Sequence, residues 1–147
     1  MGTTGRRGSL IASFRIYPKV RAGRGVGDYF VVNIYANVRL MRAAIRKSRG
    51  KYGFDHTLGL CAWYTSLRKV RGTWRRQREC GTIYFCRGYL GSGIVTHEMT
   101  HAAFAWLWKR KKWRPHWRSA LEEPLAWTTG WLVAQFWTRY YERFKVK

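Results

Sequence analysis

The chain has 147 residues, 46% of them hydrophobic, which is enough for one hydrophobic core and too little for two domains. Its 29 Lys and Arg residues against 7 Asp and Glu give a formal net charge of +22, which favours nucleic acid, an anionic membrane or an acidic protein as a partner. Three cysteines without CxxC spacing argue against a disulfide framework and against a cysteine zinc knuckle.

We expect one domain spanning residues 1–147, because neither an internal repeat nor a Ser/Pro-rich linker divides the chain. The first residues lack the long apolar region of a signal peptide. The most apolar run, residues 124–137, is too short to cross a bilayer and predicts a buried helix. These features and the odd cysteine count predict a cytoplasmic protein without a transmembrane segment.

The first half of the chain is rich in β-branched and aromatic residues, which favour strands. Between two pairs of such runs, residues 39–50 carry apolar side chains on one side and basic ones elsewhere, which predicts a short amphipathic helix ending at Gly50. The runs that predict strands are 10–20, 29–38, 57–67 and 82–86.

A basic segment with one tryptophan, RKVRGTWRRQRECG, lies between the last two predicted strands. Cations with an interleaved aromatic residue suit contact with phosphates and bases, and a solvated hairpin connection is the structural alternative. The segment predicts a surface for nucleic acid or an acidic partner, made by Arg68, Lys69, Arg71, Arg75, Arg76 and Arg78.

The C-terminal half has helical periodicity. A glycine turn with Ser92 as a candidate N-cap precedes residues 94–112, which predict a helix with a cationic last turn. A second helix is predicted to begin near residues 122–124, because proline suits the first turn of a helix. The strand TIYF, which comes before the glycine turn, is predicted to be an edge strand beside the first of these helices.

The sequence HEMTH lies in that first helix. Residues four apart share one helical face, so His97 and His101 can direct two imidazole nitrogens at one metal ion. Glu98 lies about 100° round the helix axis, beside the metal. A catalytic zinc site needs a third protein ligand and a water whose proton a carboxylate can accept. The motif therefore predicts a Zn²⁺ site with Glu98 as general base.

The third ligand is predicted on the second helix. Glu123 has the small residues Ala126 and Gly130 on its own face, which would let the two helices approach closely. Glu122 is the alternative on the same helix, with a bulkier face. His116, between the two helices, is a third candidate.

The HEMTH motif followed by a glutamate on the next helix resembles the gluzincins, the zinc peptidases with a glutamate ligand. Within that group, residues 81–137 resemble the small single-domain metallopeptidase-like proteins of phages, in the style of the ImmA/IrrE group. The resemblance implies zinc held by two histidines and a glutamate, and a virus-encoded protein acting inside a host cell. The chain departs from the gluzincin pattern where Trp127 or Ala126 replaces an aspartate that orients a zinc histidine.

A second resemblance is to SprT-like proteases, in which a histidine further along the chain completes the zinc site. His116 would be that histidine. This group includes proteases that act on proteins bound to DNA, which would also account for the basic charge.

Together these features predict an α+β, zincin-like fold, with a small and mostly antiparallel sheet packed on the HExxH helix and the glutamate helix. The predicted function is that of a zinc metallopeptidase, a hydrolase that cleaves peptide bonds in a protein or peptide substrate. The alternative is a basic nucleic-acid-binding or protein-binding module on a zincin scaffold.

Overall fold

The structure is a computed structural model that describes residues 10–19, 27–50, 56–64, 67–110 and 118–145. Strands dominate the first half of this part of the chain and helices the second, as the sequence predicts. The elements are β1 (Leu10–Ile16), β2 (Tyr29–Tyr35), α1 (Val38–Arg49), β3 (Gly59–Trp63), β4 (Leu67–Val70), β5 (Thr73–Arg76), β6 (Glu79–Cys86), α2 (Ser92–Lys109) and α3 (Arg118–Phe144).

Four strands form the main sheet in the order β1-β2-β6-β3. The β1–β2 and β3–β6 pairs are antiparallel and the β2–β6 pair is parallel. The predicted α+β class and the mostly antiparallel sheet are therefore confirmed. The prediction that TIYF forms an edge strand is wrong, because β6 lies between β2 and β3. Nearly every residue of β6 is buried, as in a strand covered on both faces.

Helices cover both faces of the sheet. The larger core lies under α2 and α3, where Phe30 and Ile83 of the sheet pack with Met99, Trp106 and Phe136 of the helices. A smaller core under α1 is formed by Tyr35, Met41, Ile45, Ala62, Tyr84 and Cys86. The three cysteines are buried strand residues with free thiols. Within the described residues, no helix is long and apolar enough to span a membrane.

The ends of α1 follow the capping rules. The Asn37 side chain accepts a hydrogen bond of 3.1 Å from the Leu40 N–H, which caps the first turn. At the other end Gly50 has φ of 86°, and its N–H donates to the Arg46 carbonyl at 2.9 Å. The predicted helix and its glycine stop are confirmed.

Two predicted features of the later helices are wrong. Gly91 is the N-cap of α2 and makes no side-chain capping bond, while Ser92 is already helical. The last helix begins at Arg118 rather than near residue 122, and Pro124 lies inside it. Proline in a first turn is only one way to start a helix, and the good helix formers before Pro124 extend it toward the N-terminus.

The basic segment forms a hairpin, which confirms the structural interpretation of that segment. Strands β4 and β5 pair only with each other as a two-stranded sheet. Their two-residue turn consists of Arg71 with φ of 48° and Gly72 with φ of 81°, the signs that a type I′ turn requires. Every residue of the hairpin is exposed except Val70, which is half-buried.

Candidate metal and catalytic site

Helix α2 brings the two motif histidines together. His97 and His101 are both exposed on one face of the helix, and their Nε2 atoms are 3.1 Å apart. Their rings meet edge to face, with centroids 4.7 Å apart and planes at 77°. The one-turn spacing in the sequence therefore brings two ring nitrogens within 3.1 Å of each other.

The separation of the nitrogens suits a shared metal ion. Two imidazole nitrogens bound to one tetrahedral zinc, each at its usual bond length, are about 3.3 Å apart. The 3.1 Å between His97 Nε2 and His101 Nε2 is close to this value. The same distance also allows a hydrogen bond between one protonated and one unprotonated nitrogen. The pair can thus supply two zinc ligands without rearrangement of the helix.

Glu98 points from the same helix turn into the protein. Its side chain is 7% exposed, whereas the flanking histidine face is open to solvent. The Cys61 backbone N–H of β3 donates a hydrogen bond of 2.7 Å to Glu98 Oε2. Gly59 provides room for the carboxylate, because a Cβ atom there would lie 3.2 Å from Glu98 Cγ and 3.0 Å from Ile94 Cγ2. Strand β3 therefore fixes the carboxylate beside the histidine pair.

Burial determines the acidity of this carboxylate. Loss of hydration raises the pKa of Glu98 above the ordinary range of a glutamate. The hydrogen bond from the Cys61 N–H and the positive charge of protonated His97 and His101 oppose this rise in pKa. A carboxylate with a raised pKa is a better proton acceptor at neutral pH than an exposed one.

Among the described residues, strand β3 pairs only with β6 and has a free edge next to this carboxylate. The Cys61 N–H donates to Glu98 instead of to β6. In an antiparallel ladder successive residues point alternately toward and away from the partner strand. The backbone polar groups of Gly59 and Trp63 therefore point outward like those of Cys61. One of them, the Trp63 carbonyl, accepts a hydrogen bond of 3.3 Å from Arg49.

The structure does not gather a third ligand around the histidine pair. Among the described residues, no group of three or more His, Cys, Asp and Glu side chains is close enough to hold a metal ion. Glu122 and Glu123 are both exposed on α3. His116 lies outside the described residues.

The two glutamates occupy different sides of α3. Its buried face contains Leu125, Thr129 and Leu132. At 100° per residue, Glu122 lies at the margin of this face and Glu123 lies nearly opposite it. Within the part of the chain that the structure describes, the close approach predicted on the Glu123 side is not found, because a Cβ atom at Gly130 would have none of these residues within 4 Å.

The position that departs from the gluzincin pattern has a structural role. Trp127 is half-buried and stacks on Trp131, with ring centroids 5.8 Å apart. Lys19 lies over both rings, 3.7 Å from the Trp131 centroid and 5.7 Å from that of Trp127. Trp127 thus holds the region after β1 against α3 and does not bond to a motif histidine.

Two residues of the site, Gly59 and Cys61, were not identified from the sequence. Neither carries a motif, since one acts by lacking a side chain and the other through its backbone N–H. The glycine before the apolar run LCAW was the only available signal, as a glycine in a strand often marks a close approach. Comparisons of the chain with protein-family models, with curated proteins and with solved structures found no match.

Proposed function

We propose that this protein is a zinc-dependent peptidase with a zincin-like site on α2. One observation carries the proposal: two histidine Nε2 atoms 3.1 Å apart lie on the same helix turn as a buried glutamate, which is hydrogen-bonded to the outer edge of β3. A merely structural helix has no need to bury a carboxylate beside two exposed imidazoles, because burial of that carboxylate costs free energy.

His97 and His101 would hold the zinc ion, and a carboxylate of α3 would complete the set of three protein ligands. When bound, zinc supplies a Lewis acid that polarises the scissile carbonyl and makes water more acidic. Glu122 borders the buried face of α3, which favours it as the third ligand, whereas the sequence favours Glu123. The exposure of both side chains leaves them able to change rotamer.

Glu98 would act as the proton carrier. Its carboxylate accepts a proton from the attacking water and later passes it to the departing amine. The hydrogen bond from the Cys61 N–H holds Oε2, which leaves Oε1 for this transfer. Burial supports the role because it raises the pKa of Glu98 toward the pH at which proton transfer in both directions is efficient.

The free edge of β3 would bind the substrate. A peptide in an extended conformation can pair with the outward backbone groups of Gly59 and with the Trp63 N–H, beside the Trp63 carbonyl that accepts from Arg49, and so extend the sheet by one strand. Such a peptide would run past Glu98, since the Cys61 N–H that holds Glu98 belongs to the same edge. This arrangement favours unfolded or flexible segments of protein substrates over folded ones.

The test combines metal analysis with hydrolysis of an unstructured protein such as casein. We expect about one zinc per chain and cleavage that chelation abolishes. Glu98→Gln should retain zinc and lose at least a hundredfold in cleavage rate. Glu142→Gln, the same change at an exposed site of α3, is the matched control and should leave cleavage unchanged. A chain without stoichiometric zinc, or undiminished cleavage by Glu98→Gln, would refute the proposal.

A further inference from the structure

The β4–β5 hairpin concentrates positive charge without neutralising it. Residues 67–76 include five basic side chains and no acidic one. Arg68 lies directly opposite Arg75 in the strand register, a like-charge pair that destabilises a hairpin. Within the described residues, the hairpin has one ion pair, from Arg76 to Asp28 at 3.1 Å. The other four cations face solvent.

The turn of the hairpin also contains a basic residue. Its first residue has φ of 48°, a conformation that Gly, Asn and Asp adopt more easily than arginine does. The position is held by Arg71, which carries a fully charged side chain at the tip of the hairpin. Both the opposed arginines and the turn therefore lower the local stability of the hairpin, and a polyanionic partner would relieve the repulsion between the arginines through phosphate contacts.

One face of the hairpin combines cations with an exposed indole. Trp74 lies opposite Lys69, and Leu67 lies opposite Arg76, so these four side chains share a face. Trp74 is 64% exposed and Leu67 is 55% exposed. The Trp74 indole lies between a lysine and an arginine, and because it is so exposed it contributes little to the stability of the fold. The indole is therefore available to stack on another aromatic ring.

This face continues into a pocket on the body of the protein. The pocket has a volume of about 410 Å³, and Arg76 lines it together with Trp63, Trp108 and Lys109. The two indoles are 51% and 56% exposed. Trp108 also stacks on Phe104, with the ring planes at 6°, which fixes its orientation. The Lys109 ammonium donates to the Glu79 carbonyl at 3.4 Å, and this bond holds the ammonium group at the pocket wall.

Nearby acidic groups offset only part of this positive charge. The Asp28 carboxylate is buried and accepts hydrogen bonds from Arg76 and from Trp106 Nε1. Glu79 is held by the hydroxyl groups of Tyr29 and Tyr64. The five basic residues of the hairpin and Lys109 outnumber these two carboxylates, so the tract from the hairpin to the pocket keeps a positive net charge.

We infer that this tract, defined by Lys69, Trp74, Arg76, Trp63, Trp108 and Lys109, binds single-stranded nucleic acid. Cations that follow a phosphate backbone and aromatic rings that stack on successive bases are the two elements of such sites. Three exposed indoles favour unpaired bases, because the bases of a duplex are stacked on each other and present only their edges. The inference does not depend on the proposed peptidase activity.

The first experiment measures binding of a fluorescent thymidine oligonucleotide of about twelve nucleotides by anisotropy. A uridine oligonucleotide and a duplex of equal length are measured alongside. We expect the single strands to bind more tightly than the duplex, and the ratio of the two single strands to identify DNA or RNA. Trp74→Ala should weaken single-strand binding about tenfold. Tyr141→Ala, at another exposed aromatic residue, should leave it unchanged.

The second experiment separates a local interaction from the general charge of the chain. Lys69→Ser with Lys109→Ser removes two cations of the tract and should weaken binding and reduce the salt dependence, by about 0.7 in log–log slope for each phosphate that the variant no longer neutralises. Arg39→Ser with Lys47→Ser removes the same charge from exposed positions on α1 and should have little effect. Both measurements are made on chelated Glu98→Gln protein, so that loss of peptidase activity does not affect them.

Two results would overturn the inference. One is binding of the duplex that equals or exceeds binding of the single strands and does not change in Trp74→Ala. The other is an equal loss of affinity in the Lys69/Lys109 and the Arg39/Lys47 double variants, which would mean that net charge alone attracts the oligonucleotide.

Discussion

The Cys61 backbone N–H donates a hydrogen bond of 2.7 Å to Glu98 Oε2, so the carboxylate of the motif is attached to a strand as well as to its own helix. This bond joins the edge of the sheet to the face of α2 that carries the two histidines. It also occupies one edge N–H that a substrate strand would otherwise use. The position of the carboxylate is therefore set by the packing of β3 against α2.

Glu98→Gln should make the metal-free protein more stable at neutral pH. The raised pKa means that folded Glu98 binds its proton more tightly than unfolded Glu98. Its favourable contribution is complete below the ordinary glutamate pKa of about 4.3 and is lost as the pH rises through the raised pKa. Glutamine keeps an acceptor for the Cys61 N–H and does not ionise, so it avoids this loss.

The measurement is the free energy of unfolding in denaturant, in the presence of a chelator, at several pH values from the ordinary glutamate pKa of about 4.3 upward. The difference between variant and wild type should shift in favour of the variant as the pH rises. A difference that is constant with pH would contradict the raised pKa.

Gly59→Ala should impair catalysis through the position of Glu98. The added Cβ atom would lie 3.2 Å from Glu98 Cγ and 3.0 Å from Ile94 Cγ2, so one of these side chains must move. We expect a loss of about 1–3 kcal/mol in stability from overpacking and a fall of at least tenfold in the cleavage rate, because a small displacement of a catalytic group is costly.

Gly88→Ala is the control for this substitution, since a Cβ atom at Gly88 would have nothing within 4 Å. Cleavage rates and unfolding curves of the two variants are compared. Full activity in Gly59→Ala would show that Glu98 tolerates displacement and that its close approach to Gly59 is not part of the catalytic arrangement.

Glu122→Gln should lower the zinc content more than Glu123→Gln does. The two variants have the same change in charge on adjacent residues of α3, but only Glu122 borders the buried face of the helix. Zinc per chain is measured after dialysis against a limiting chelator concentration. If Glu123→Gln alone loses the metal, Glu123 is the third ligand, as the sequence predicts, and the choice of Glu122 from its position on α3 is wrong.

Gly130→Ala should stabilise the protein by about 1 kcal/mol, because alanine has the better helix propensity by that amount. Gly130 lies in the middle of α3, is exposed and has open space around it. Denaturant unfolding measures the change. A destabilised variant would indicate that this face of α3 approaches another part of the protein, as the small residues in the sequence predict.

Local features of the fold were predictable and nonlocal ones were not. The periodicity of residues 39–50 and the glycine at its end predict α1, because both signals lie within the helix itself. The same reasoning places HEMTH on a helix. The order of the strands depends on which distant segments pair, so the sequence predicts TIYF of β6 at the sheet edge beside α2, a position that β3 occupies.

The candidate site also combines a local feature that was predictable with a nonlocal one that was not. The one-turn spacing of His97 and His101 is enough to predict that their ring nitrogens lie close together. The direction of Glu123 could not be predicted, because small residues on a helix face indicate close packing only when that face is turned inward. In α3 the buried side is set by Leu132 and Phe136, which pack into the main core.

The parallel pairing of β2 with β6 also bears on the order in which the chain folds. Tyr29 pairs with Glu79 and Tyr35 with Cys86, so α1, β3 and the hairpin all lie within the loop that this pairing closes. Closing such a loop costs entropy before the sheet contacts form, which makes the central pair a slow step. Helix α2 packs on β3 and β6, which pair with each other over a shorter stretch of chain, so Glu98 can reach the Cys61 N–H before the central pair closes. The two histidines share one turn of α2 and need only that helix. The candidate site is therefore expected to form ahead of the complete sheet.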